Sequence, residues 1–348
     1  MMRRFFEHFV APLIEKTKKS VSLKRVAWSV AMLAIGAGIA WYATNSANVA
    51  SMGGFETRMG QQGFTNPLLD CSIGADTISA KKEDFSADLL NFVNVLKQKP
   101  SISQVSVYFR DLNNGPIVGV NQNEPFAPAS LLKVPIMMAY YNRAEDEPGL
   151  LDKKIKFEEA STLLPDTQNF VPQEQIQLGH TYTIEQLIEY MIKYSDNQAM
   201  VILYNQLPVA DQVELYTEIG VDPAAITDST ASLTVKQYSV FFRILFNASY
   251  LSREDSEKAL ELLSESTFND GLRAGVPTTI PIAHKFGERQ FSDQLQQLHD
   301  CGIVYYPMHP YLLCVMTRGS SISDLTQAIA DTSRFVYDKI DGEYGAKQ

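Results

Sequence analysis

Phe126-Ala127-Pro128-Ala129-Ser130-Leu131-Leu132-Lys133 is the stretch on which the reading of this chain turns. Pro128 to Ser130 opens a predicted helix through Met137 and Tyr141, with Pro135 tolerated near its first turn. Ser130 and Lys133 lie three residues apart and share one helix face, so an amine can sit beside a hydroxyl. Such a pair arises by chance on many helices. Two later motifs change its weight: Ser195-Asp196-Asn197, directly after an amphipathic helix, and Lys285-Phe286-Gly287, on a strand. Each alone is an ordinary helix end or strand end. In this order and in these local contexts they point to one site.

Outward from that stretch the elements follow by period. Phe85 to Leu96 reads as a helix. Val105, Val107 and Phe109 alternate as a strand, Asn113-Asn114-Gly115 turns it, and Ile117 to Asn121 returns. Ile184, Leu187, Ile188, Met191 and Ile192 fall on one helical face. Further helices are expected over 211–218, 234–247 and 252–263, the last opened by Ser252 with Asp255. Strands are expected over 282–287, 302–306 and 311–317, then a final helix over 322–340, with His299-Asp300 as a turn or strand end. The fold class is therefore α/β: an antiparallel sheet flanked by terminal helices, with an inserted all-helical lobe at about 129–275 and a cleft between the two. Residues 85–345 form the expected catalytic domain.

The N-terminus has another character. Val26 to Ala43 is an uncharged, mostly apolar run, just long enough to span a bilayer core. Ahead of it, residues 1–25 carry Arg3, Arg4, Lys16, Lys18, Lys19, Lys24 and Arg25 against Glu7 and Glu15, while residues 44–70 carry a single basic residue, Arg58. The positive-inside rule makes 1–25 a cytoplasmic basic segment, 26–43 a single-pass membrane anchor, 44–84 a linker, and the rest extracytoplasmic. A cleaved signal peptide is the alternative, since Ala47-Asn48-Val49-Ala50 loosely resembles a cleavage site; the long basic segment favours the anchor. The formal net charge of −10 argues against nucleic acid as a partner. Of Cys71, Cys301 and Cys314, the last two fall on or beside two strands of an expected hairpin, where a bridge is geometrically possible. His8, His180, His284, His299 and His309 show no metal spacing.

The chemistry expected at the cleft starts with Ser130 at a helix N-terminus, where orphan N–H groups favour developing negative charge. Lys133 takes the serine proton if burial and a second cation depress its pKa. Lys285 supplies that cation. Ser195 relays the proton to a leaving nitrogen. Asn197 binds a substrate amide and holds Lys133. The oxyanion hole is the N–H of Ser130 with that of Glu288, which follows Gly287.

The chain resembles the penicillin-recognising serine hydrolases, most closely the class A serine β-lactamases and β-lactamase-like proteins, over about residues 85–340. The resemblance is carried by Phe126 to Lys133, by Leu178-Gly179 and Tyr182-Thr183-Ile184, by Tyr194-Ser195-Asp196-Asn197, and by Gly271 to Gly275 with Ala283-His284-Lys285. It implies a sheet domain with a helical lobe, no metal and no cofactor, and an aromatic wall near Phe170. Two departures stand out. Phe286 replaces the hydroxyl residue that would bond a substrate carboxylate. No E-x-x-L-N stretch follows Gly220, so the deacylating glutamate is missing, and Asp222 and Asp228 read more simply as turn or cap residues.

Three functions follow as expectations. The first is a membrane-anchored serine hydrolase acting through an acyl-enzyme on β-lactam or acyl-D-alanine-type amides, its partners a β-lactam or a peptidoglycan peptide. The second is a penicillin-binding peptidase or sensor that deacylates slowly. The third is an inactive scaffold, against which intact Ser130, Lys133, Ser195, Asn197 and Lys285 argue.

Overall fold

Strand 311–319 is buried along almost its whole length, with no solvent-facing side. Such a strand lies in the middle of a sheet covered on both faces. The computed structural model shows that arrangement. It describes residues 63–65, 79–113, 116–161, 168–218, 221, 223 and 232–345, together with short strands β1 (Phe55–Arg58) and β2 (Cys71–Gly74). The chain divides into two compact units, Met1–Phe55 and Glu56–Gln348, and the second carries the main sheet and its helices. The expected anchor at 26–43 lies outside the described residues, as do Asp222 and Asp228. Among the described residues no helix is long and apolar enough to cross a membrane.

Five antiparallel strands make the main sheet: β3 (Ile102–Asp111), β4 (Ile117–Val120), β9 (Ile282–Ser292), β10 (Leu295–Val304) and β11 (Tyr311–Gly319), in spatial order β4-β3-β11-β10-β9. The terminal helices α1 (Ser79–Leu96) and α8 (Ile322–Tyr344) pack on one face. Leu89, Val93, Val105, Val107, Phe109, Leu313, Val315, Leu325 and Ile329 form the core there. Tyr108, Leu312, Cys314 and Met316 point to the opposite face and join the core of the helical lobe. Period-two alternation thus serves two cores at once.

The lobe contains α2 (Lys133–Asp146), the hairpin of β6 (Lys154–Lys156) with β7 (Thr181–Thr183), α3 (Ile184–Lys193), α4 (Asn197–Gln206), α5 (Val209–Glu218), α6 (Val235–Phe246) and α7 (Arg253–Ser264). The apolar face expected of α3 is fully buried, each such side chain worth about 1.5–3 kcal/mol. Thr183 with Gln186, and Thr234 with Gln237, close capping boxes at α3 and α6, and Ser252 accepts from Asp255 N at α7. β5 (Pro125–Phe126) and β8 (Leu233–Thr234) tie the approach to Ser130 to the lobe.

Three expectations need correction. The helix α1 begins at Ser79, inside the predicted linker, which also holds β1 and β2; the charged run Lys81-Lys82-Glu83-Asp84 offers no apolar period to read. Strands β9 and β10 extend to a turn at Asp293-Gln294, so His299-Asp300 lies in mid-strand, not at a turn. The polar residues of that extension hid it. Finally, Ser130 sits on a 3₁₀ turn, Ala129–Leu132, that leads into α2 rather than within the α-helix itself. Cys301 and Cys314 face each other across β10 and β11 and form a disulfide.

Candidate active site

Ser130 is half-buried on its 3₁₀ turn, just ahead of α2. The preceding Ala129 holds a left-handed φ of 49°, a strained conformation for a residue with a Cβ. Side chains from other elements pin the segment before it. Gln297 Oε1 accepts from Ala127 N at 3.0 Å, His299 Nε2 donates to Ala127 O at 3.1 Å, and Arg318 donates to Glu124 and to Pro125 O. Burial pushes the His299 pKa down to about 4, so the ring stays neutral and serves as a fixed donor. Tyr238 Oη donates to Leu131 O at 2.9 Å from the lobe side.

Lys133 is fully buried one turn on. Its Nζ donates to Ser195 O at 2.6 Å, Ser195 Oγ at 3.0 Å and Asn197 Oδ1 at 2.7 Å. These contacts account for the three protons of an ammonium. Ser195 O and Asn197 Oδ1 only accept, so they hold the nitrogen in either protonation state. Ser195 Oγ can exchange a proton in either direction. Ser195 has a left-handed φ of 59°, and this turn between α3 and α4 presents both its carbonyl and its hydroxyl to Lys133. Asp196, buried beside it, caps α4 through Gln198 N and Ala199 N and also accepts from Ile176 N.

From the sheet, Lys285 Nζ donates to the same Ser195 Oγ at 2.9 Å and to Phe286 O at 3.3 Å. Two buried amines therefore meet on one hydroxyl. Burial first, and the charge of Lys285 second, hold the Lys133 pKa well below the usual lysine value. Lys285 is lowered to about 7 by burial, against a raising influence from Asp300. Asp300 is itself buried, bonded to His284 Nδ1 at 2.9 Å and to Leu272 N at 2.8 Å. His284 is thus structural and faces this carboxylate.

Gly287 packs edge-on against the serine turn: a Cβ there would lie 3.0 Å from Leu131 N and 3.1 Å from Pro128 O. A Cβ there would force the strand or the turn to give by a few tenths of an ångström. Glu288 follows Gly287 on β9. Glu288 does more than its place in the sequence suggests. Its carboxylate accepts from Asn169 N at 3.1 Å, Asn169 Nδ2 at 2.8 Å and Phe170 N at 3.0 Å, tying the lobe to the sheet. Phe170 lies 5.7 Å from Phe286 and 4.8 Å from Phe268, centroid to centroid, and Phe268 stacks on Phe286 at 4.0 Å. Phe286 is buried there, and the register of β9 against β10 runs unbroken through it. Neither the Glu288 side-chain clamp nor Phe268 was legible, because both join residues about a hundred positions or one lobe apart without a local motif. Among the described residues no group of three or more His, Cys, Asp or Glu is placed to hold a metal ion.

A family model described as the beta-lactamase enzyme family matches residues 88–340. The chain belongs to that family. Beta-lactamase VEB-1 from Pseudomonas aeruginosa is 23% identical over 235 residues, 63% of this chain and 77% of that protein. A class A beta-lactamase from Mycobacterium abscessus shares the fold with a TM-score of 0.62 at 22% identity, covering 72% of this chain and 99% of its own. A mutant of PBP-A, solved as its acyl-enzyme complex with penicillin G, matches with a TM-score of 0.59 at 21% identity, covering 74% of this chain and 97% of its own. The beta-lactamase-like serine hydrolase fold is thereby shown.

Proposed function

We propose that this beta-lactamase family member forms an acyl-enzyme at Ser130 with β-lactam or acyl-D-alanine-type amides and releases it slowly, as a penicillin-binding peptidase or sensor does. The observation that carries the reading is the meeting of Lys133, three residues after Ser130, and Lys285 on Ser195 Oγ. Neutral Lys133 takes the Ser130 proton as Oγ attacks the carbonyl carbon. The carbonyl π pair moves to oxygen, where the N–H groups of Ser130 and Glu288 receive it. The tetrahedral species collapses and the C–N bond breaks. The proton on Lys133 passes to Ser195 Oγ, and the Ser195 proton goes to the leaving nitrogen. Asn197 and Lys285 hold substrate and positive field. Acylation of PBP-A by penicillin G supports β-lactams as the probe class.

The absence of an E-x-x-L-N stretch from the sequence supports slow release over fast β-lactam hydrolysis. The disulfide Cys301–Cys314 supports a catalytic domain outside the cytoplasm, and the apolar run 26–43 behind a basic segment supports a membrane anchor. Intact-protein mass spectrometry after adding benzylpenicillin tests the central claim: one adduct on the wild type, none on Ser130→Ala. Labelling that survives in Ser130→Ala would falsify the nucleophile assignment.

A further inference from the structure

The wall of the site along β9 is aromatic where polar donors would be needed to hold an anion. Lys285 Nζ bonds Ser195 Oγ and Phe286 O, and the Phe286 ring centroid lies 4.3 Å away, covering a further side of the ammonium. Phe268 stacks on Phe286, and half-buried Phe170 closes edge-on over both. Lys285 apart, the cations on the adjoining segments have other contacts. The Arg273 guanidinium donates to the carbonyls of Ile280, Val276 and Pro277, and exposed Arg289 lies over Phe291. Thr267 Oγ1 donates to Lys193 O. A carboxylate set against these rings loses its water and gains no hydrogen bond in return. Glu288, close by, adds a negative charge and holds the Phe170 backbone in place.

We infer that Phe170, backed by Phe268 and Phe286 and held by Glu288, is a specificity wall that selects acyl donors with a neutral, apolar group beside the scissile amide over those with a carboxylate there. This rests on the proposed function, in which Ser130 is the acylated nucleophile. Three phenyl rings shape the wall, and Phe170 is the one that touches substrate. Phe268 and Phe286 act through it, and Glu288 is a positioning residue.

The test compares second-order acylation of Ser130 by benzylpenicillin and by its methyl ester, read by intact mass, with a fluorophosphonate as a general serine probe. The wild type should take the ester faster than the acid by about tenfold or more, the scale of one well-defined pocket contact. Phe286→Thr should lower that ratio, as should Phe170→Ala, which removes a partly exposed ring and spares the core. Glu288→Gln, which weakens the clamp, should lower it as well. An acid taken as fast as the ester in the wild type overturns the inference alone. An ester preference that neither Phe170→Ala nor Phe286→Thr changes also overturns it. If neither penicillin form labels while the fluorophosphonate does, the β-lactam reading fails and this inference with it. If the fluorophosphonate fails as well, the nucleophile assignment itself is wrong.

Discussion

At the scale of single residues, the site is governed by two lysines that share one oxygen. Burial first, and the charge of Lys285 second, lower the Lys133 pKa well below the usual lysine value, which favours the neutral amine that a base needs. Acylation measured as kcat/KM should rise with pH as Lys133 deprotonates, then fall through about pH 7 as Lys285 loses the proton it donates to Ser195. Lys285→Arg keeps the charge, so its alkaline limb should move up by several pH units. An alkaline limb that stays near 7 in this variant would assign it to another group. Burial also has a stability cost with a definite sign. The folded pKa of Lys285, about 7, lies below the unfolded value of about 10.4. Between those two values the unfolded chain binds a proton that the folded chain does not, so stability falls as pH drops from 10 toward 7. Lys285→Met should therefore be inactive yet more stable at pH 7, by roughly 1–3 kcal/mol after its lost hydrogen bonds are offset. The gain should vanish above about pH 11, where the unfolded lysine is also neutral. A less stable variant at pH 7 in urea titration would show that burial is not costly here.

At the scale of elements, what was legible and what was not divides along local and long-range causes. The face of α3 and the cap of α7 were readable because their determinants lie within one or two turns. So was the nucleophile turn, although its 3₁₀ geometry was not: nothing in Pro128-Ala129-Ser130 announces the left-handed Ala129. The extension of β9 and β10 beyond the sheet was missed because Arg289, Gln290, Gln296 and Gln297 show no apolar period. Lys133, Ser195, Asn197 and Lys285 meet through hydrogen bonds and Gly287 lies against the serine turn, whereas the Glu288 clamp depends on a contact with Asn169 that only the tertiary fold creates. Gly287 tests how β9 meets the serine turn. Gly287→Ala places a Cβ 3.0 Å from Leu131 N, with backbone on the far side that cannot swing away. It should cost about 1–3 kcal/mol and reduce Ser130 acylation more than tenfold. Thermal unfolding and labelling rates read both, and a fully active, fully stable variant would mean that the strand is free to move. The disulfide is a second element-scale test. It links adjacent strands over a separation of 13 residues, so replacing both Cys301 and Cys314 by alanine should lower stability by up to about 3 kcal/mol and leave acylation intact.

At the scale of the whole molecule, the two halves of the site come from different lobes. Ser130, Lys133, Ser195 and Asn197 belong to the helical side, Lys285, Gly287 and Glu288 to the sheet. Acylation needs only groups that this assembly brings together. Deacylation needs one more, a base that activates water, and general-base help is worth roughly 10²–10⁴-fold. The carboxylate nearest in the chain to the serine contact, Glu288, has its oxygens committed to Asn169 and Phe170. Lys133 Nζ is held by Ser195 O, Ser195 Oγ and Asn197 Oδ1. The acyl-enzyme should therefore accumulate. Stopped-flow measurement with a chromogenic cephalosporin should show a burst near one equivalent, then turnover slower than the burst by about two orders of magnitude or more. Asp222 and Asp228 are the carboxylates of the segment after Gly220 that are available to rescue the step. Fast steady-state hydrolysis abolished by Asp222→Asn or Asp228→Asn would make this a β-lactamase with a relocated base. Fast hydrolysis indifferent to both would place the base elsewhere, and Glu288→Gln would then decide whether the clamp carboxylate doubles as that base.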